Sequence, residues 1–152
     1  SNPELPVPAV ADRVTLEGTY TEFYDNSQIV ARSIEITGDS ELPDPIVVEP
    51  HEIATGAPTA EAFEGVLVQV RDVIVTEAAV IENGADRGAF RVAAEGDEDP
   101  SDDLLVDDDF DYAYTDQRRV GDRFERITGL LDYSFDHFRL MPRGDEDLVP
   151  AP

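Results

Sequence analysis

The chain has 152 residues, 41% of them hydrophobic, enough to bury a core in one ordinary domain or two small ones. Its formal charge is −24, from 35 acidic against 11 basic residues, and every basic residue is an arginine. That balance argues against phosphate-led nucleic-acid binding and against anionic membranes. The absence of cysteine excludes disulfides and thiolate metal sites.

Excess carboxylate favours solubility, and its self-repulsion is screened in a saline or calcium-containing medium. A chain without lysine fits a halophilic protein, and a GC-rich genome gives the same arginine bias. No run of about 18 apolar residues exists, so no membrane insertion is expected. The sequence starts Ser1-Asn2-Pro3 and its one methionine is Met141. We therefore expect a removed signal segment or a piece of a larger protein, with Ser-Asn reading as a protease scar.

In chain order, residues 1–11 are proline-spaced and should be extended. Val14–Phe23 and Gln28–Ile36 are rich in β-branched and aromatic residues and flank Asp25-Asn26-Ser27, which reads as a hairpin. Ile46–Val48 is a short strand, and Pro50–Gly56 a loop or one helical turn. Pro58–Phe63 is the best short-helix candidate, with Thr59 as its cap. Glu64–Glu77 is the strongest strand pattern. Val66, Val68 and Val70 share one face, Leu67, Gln69 and Arg71 the other, and Arg71-Asp72 marks a bulge or bend. A turn cluster at Glu82–Gly88 leads into a strand at Ala89–Ala94. An acidic loop, Glu95–Ser101, precedes a strand at Leu104–Val106, and a second long loop covers Asp107–Arg119. Asp122–Tyr133 and Phe138–Met141 form a last strand pair across a Ser134–His137 turn. No long segment has a 3.6-residue period, so the class is all-β.

The first and last hairpins resemble each other. With one inserted residue, Asp12-Arg13 aligns with Asp122-Arg123 and Gly18 with Gly129. Tyr24-Asp25 then aligns with Phe135-Asp136, and Ile29-Val30 with Leu140-Met141. A glycine inside a strand marks a bulge or a sharp barrel bend. The pattern reads as two related barrels, the first represented by its closing part. Convergent hairpin composition is the alternative.

From Glu64 onward a long bent strand, two shorter strands and a closing hairpin follow the order of a five-stranded OB-fold. The loop Asp107–Arg119 stands where that fold commonly carries a helix. Phe63-Glu-Gly-Val-Leu-Val-Gln-Val70, Leu104-Leu-Val-Asp-Asp-Asp109 and the stretch Val120–Arg143 resemble an OB-fold-like module of secreted bacterial proteins. Such modules stand beside extracellular endonuclease/exonuclease/phosphatase-type nuclease domains or lamin-tail-like domains. The resemblance covers residues 62–149 and implies a non-catalytic role at the cell envelope or outside a bacterium. Nucleic-acid binding follows from fold analogy alone, and the charge of this chain weighs against it. The division expected is an extended segment at 1–11, a partial OB-like unit at 12–58 and an OB-fold-like barrel at 59–149.

Candidate site residues fall into two sets. Asp107, Asp109 and Asp111 alternate along an extended chain and project to one side, which suits a hard cation such as calcium, with Asp97 and Asp99 as a second oxygen source. An EF-hand is excluded because Tyr112 and Arg118 stand where that loop needs glycine and glutamate. The alternative is a solvated acidic loop that keeps strand edges apart. The second set is aromatic: Tyr20, Tyr24, Tyr133, Phe135 and Phe138 cluster on the two hairpins. They read as a stacking platform for bases or sugars, or as barrel core and cross-strand pairs.

His51-Glu-Ile-Ala-Thr lacks the second histidine of a zinc helix, and no nucleophile elbow or phosphate loop occurs. We expect no enzyme and no cofactor, unless calcium. The expected role is a binding or assembly module of a larger surface protein, in contact with its other domains and self-associating by strand addition. The alternatives are an accessory nucleic-acid-binding domain of an extracellular nuclease and a calcium-binding spacer.

Overall fold

The computed structural model describes residues 5–82, 84–97, 99–107 and 118–152. The chain divides into two compact units, 1–44 and 45–152. The first is a long hairpin of β1 (Asp12–Phe23) and β2 (Asn26–Asp39), paired antiparallel. Its turn is centred on Tyr24 and Asp25, one residue earlier than Asp25-Asn26-Ser27 suggests. Both residues have φ near +55°, which gives a two-residue turn whose twist matches that of the strands.

The second unit is a closed five-stranded barrel. Its strands are β4 (Leu67–Glu77), β7 (Phe90–Ala94), β8 (Leu104–Val106), β9 (Arg123–Ser134) and β10 (His137–Met141). Around the barrel the order is β4–β7–β8–β10–β9 and back to β4, with β8 and β10 parallel and all other neighbours antiparallel. This is the OB-fold strand plan expected from the sequence. Between β4 and β7 a small hairpin is inserted, β5 (Ile81–Glu82) with β6 (Ala85–Asp86). Two further strands extend the sheet: β3 (Ile46–Val47) lies parallel to β4, and β11 (Leu148–Pro150) antiparallel to β9. The loop between β8 and β9 lies mostly outside the described residues.

The bend in β4 is at Asp72. Val68 and Val70 are buried, Asp72 takes φ +50°, and burial then moves to Val73 and Val75. A shift from even to odd positions lets one strand serve two sides of the barrel, and aspartate tolerates the left-handed region better than a branched residue. Gln69, on the opposite face from those valines, is buried too, and its amide donates to Thr128 Oγ1 at 2.9 Å.

The core holds Val68, Val70, Val73, Val75, Phe90, Val92, Leu104, Val106, Ile127, Leu131 and Leu140. Each such side chain contributes about 1.5–3 kcal/mol on burial. Val48, Ile53 and Ala60 belong to the same core. The segment at 45–58, grouped with the N-terminal unit in the sequence reading, therefore packs with the barrel. A single helical turn, α1 (Pro50–Ile53), seats the fully buried Ile53, and Glu52 closes its start by accepting from the Glu49 N–H at 2.9 Å. The expected short helix is a 3₁₀ turn at Ala60–Phe63. Thr59 does not cap it: its hydroxyl donates to the Glu52 carbonyl at 2.6 Å, tying the two turns together. No helix among the described residues is long and apolar enough to cross a membrane.

Candidate binding cleft

β10 alternates between two environments. Phe138 and Leu140 enter the barrel core. Arg139 takes the opposite face and is still only 1% exposed. A buried guanidinium needs partners for its donors, and three segments supply them. Glu82 on β5 accepts from Nη2 at 2.6 Å and from Nη1 at 3.1 Å, a fork-to-fork pair. Asp107, just past the end of β8 and itself buried, accepts from Nη1. The Ser134 carbonyl accepts from Nε at 3.1 Å.

The electrostatics follow from this geometry. The bond from Arg139 holds the Glu82 carboxyl below its usual range, against the opposing effect of burial. Burial works against the charge on Arg139, yet the two carboxylates outweigh it and push its pKa further up. Glu82 and Arg139 thus stay ionised at neutral pH and lock the β5–β6 insertion to the closing hairpin.

Above this clamp is a cleft of about 500 Å³. One wall is Ile81, Glu82 and Arg87 from the β5–β6 insertion. Phe135, Asp136 and His137 form the other, with Arg139 and Asp107 also lining the space. Phe135 and Asp136 are the central residues of the β9–β10 turn, with φ +51° and +64°. Phe135 is 73% exposed, and the Arg139 guanidinium carbon lies 5.2 Å from its ring centre. A cation at that distance is attracted to the ring face and orients it. His137 Nδ1 lies 2.6 Å from the Asp136 carbonyl, which can only accept, so Nδ1 carries a proton. Among the described residues the lining has no serine, threonine, cysteine or tyrosine. It combines an aromatic face with fixed charges of both signs.

The residues singled out in the sequence separate in the structure. Phe138 is buried in the core, and Tyr133 packs partly buried against it, edge to face at 4.9 Å between ring centres. Their strand positions point into the barrel, so Phe135 alone of the three barrel aromatics faces the cleft. Tyr20 and Tyr24 belong to the other unit. Both are exposed; Tyr20 shares a hydrogen bond with Ser27, and Tyr24 packs edge-on against Phe23.

Of the carboxylates, Asp107 is engaged by Arg139. Asp97 accepts from the Asp99 N–H and Asp99 from the Ser101 N–H, each closing a local turn. Hydrogen bonds from the Ser101 hydroxyl and then from its backbone N–H lower the Asp99 pKa. Asp109 and Asp111 lie outside the described residues. Among the described residues no group of three or more ligating side chains converges as a metal site would require.

Sequence reasoning missed Glu82, Arg87 and Arg139. A signal existed for one of them: Phe138-Arg-Leu-Met141 places a single charge inside an apolar strand, where a charge needs a buried partner. Which carboxylate answers it depends on the fold, because Glu82 and Asp107 are far away in sequence.

No curated protein and no solved structure matches this chain. Residues 48–151 match the family described as Domain of unknown function (DUF8508), a span that takes in the whole barrel and leaves out the N-terminal hairpin. Since that span is more than half of the sequence, the chain belongs to the DUF8508 family.

Proposed function

We propose that the protein is a non-catalytic binding module of a larger extracellular or cell-surface protein, and that its ligand enters the cleft between the β5–β6 insertion and the β9–β10 turn. The exposed Phe135 ring, poised over a buried arginine paired with two carboxylates, carries this reading. Barrels of this strand plan take oligonucleotides and oligosaccharides between the corresponding loops. The charges of this cleft favour the sugar. Glu82, Asp107 and Asp136 repel phosphate, and the chain as a whole carries −24. A neutral, hydroxyl-rich ligand escapes that repulsion. Its C–H face can lie on Phe135, and its hydroxyls can bond to carboxylate, guanidinium and imidazole groups.

The test is calorimetric titration with neutral oligosaccharides, set beside single-stranded DNA at low salt. Saturable binding of a sugar that Phe135→Ala abolishes supports the reading. DNA binding that weakens as salt rises would replace it with an accessory nucleic-acid domain.

A further inference from the structure

The N-terminal hairpin and the closing hairpin of the barrel share more than composition. The same offset in sequence relates Tyr24-Asp25 to Phe135-Asp136, Gly18 to Gly129, Tyr20 to Leu131 and Ile29 to Leu140. The two turns have the same backbone, φ +52° and +60° against +51° and +64°. The glycines have the same role. A Cβ on Gly129 would lie 2.6 Å from the Met141 carbonyl oxygen, and one on Gly18 would lie 2.7 Å from that of Val30. Met141 and Val30 are again related by that offset.

Cross-strand pairing repeats as well. Tyr20 faces Ile29 as Leu131 faces Leu140, and Leu16 faces Ile34 as Ile127 faces Leu148. In both hairpins the return strand is interrupted at the glycine, by a bulge in β2 and by the break between β10 and β11.

In the barrel, this apolar row is covered. β4 pairs along β9, β8 pairs along β10, and β7 joins β4 to β8. Ile127, Leu131 and Leu140 are fully buried as a result. In the hairpin the equivalent row is open: Leu16, Tyr20 and Ile29 are 41%, 63% and 60% exposed. A two-stranded hairpin is marginal by itself in water, and three more strands are what its counterpart has.

We infer that β1 and β2 are the closing hairpin of a second barrel of the same plan, and that the polypeptide upstream of the hairpin supplies its first three strands. The occupant of the apolar row is thus an antiparallel three-stranded sheet equivalent to β4, β7 and β8. Strand pairing would run along Asp12–Thr19, as β4 does along β9, and at Gln28 and Ile29, as β8 does along β10.

Hydrogen exchange, read by NMR on the 152-residue chain and on a chain extended upstream through its own reading frame, tests this. The expected result is that outward amides of β1, and those at Gln28 and Ile29, exchange at least a hundredfold more slowly in the extended chain. Tyr20→Lys should cancel that protection in the extended chain and leave the amides of β9 and β10 unchanged. Three results overturn the inference. One is equal exchange in both chains. Another is protection in the 152-residue chain that rises with concentration alongside a dimer in sedimentation, which would make a second copy the occupant. The last is a reading frame with no strand-patterned segment upstream.

Discussion

Arg139 and Glu82 form a two-bond clamp, 2.6 and 3.1 Å, between the last strand of the barrel and the insertion that follows its first strand. These segments are distant in sequence, and each forms one wall of the cleft. The clamp fixes the width of the cleft by the same contact that satisfies a buried charge.

Removing the cation should be costly. Arg139→Met takes the guanidinium away from the buried Asp107 and from Glu82, and we predict a loss of about 3–5 kcal/mol in urea unfolding. Adding Asp107→Leu to Arg139→Met should recover part of that loss, because the deeply buried carboxylate is then gone and Glu82, the other one, keeps contact with solvent. A double variant as unstable as the single one would mean that Asp107 is not the charge that matters.

The clamp also sets an acid response. The folded-state pKa of Glu82 is lowered from an ordinary value of about 4.3. Its contribution is therefore complete above that value and is lost as pH falls through the lower folded value. Asp147 behaves the same way: burial opposes ionisation, but Arg143 binds it through Nε and Nη2 at 2.8 Å and holds its pKa down. Melting temperature should thus be flat near neutrality and fall steeply below about pH 4. Glu82→Gln should melt lower at pH 7 and lose less on acidification. Parallel melting curves for the two proteins across that range would refute the assignment.

Phe135 is a bulky residue held at φ +51°, in a turn position that favours asparagine or glycine. A non-glycine residue there costs about 1–2 kcal/mol, and such strain collects at functional sites. Phe135→Asn relieves the strain and gives up a cation–ring contact of about 0.5–1 kcal/mol. Stability should stay within about 1 kcal/mol of the parent by urea unfolding, while sugar binding disappears. A loss of several kcal/mol would show that the ring serves the fold.

Gly129 lets the return strand cross β9 at a distance that no Cβ permits. Gly129→Ala should destabilise the barrel by about 1–3 kcal/mol, the usual cost of forcing atoms into a packed region. Gly18→Ala meets the same obstruction in the hairpin, so it should raise amide exchange in β1 and β2 and leave the melting of the barrel unchanged. Cooperative loss of both units in the Gly18→Ala variant would contradict this prediction.

Much of the barrel was legible because its strands carry local signatures. Val68, Val70, Val73 and Val75 show the period of two and its inversion at Asp72, and the turn residues at 135–136 separate β9 from β10. Residues 45–58 were misgrouped because Ile46-Val47 is too short to show which strand it will pair with, and its partner β4 comes later in the chain. The cleft was nearly invisible. Its clamp joins Glu82, Asp107 and Arg139, and 35 carboxylates offer no local hint of which two an arginine will find. Aromatic character alone also could not separate Phe135 from Phe138, since one turn residue decides which ring faces out.

The cleft as a sugar site is most directly tested by amide NMR during titration with neutral oligosaccharides. The account predicts saturable shifts at Ile81, Glu82, Arg87 and Phe135 to Arg139, absent in Phe135→Ala. Shifts confined to other surfaces, or no shift at any sugar concentration while DNA moves these same amides, would contradict it.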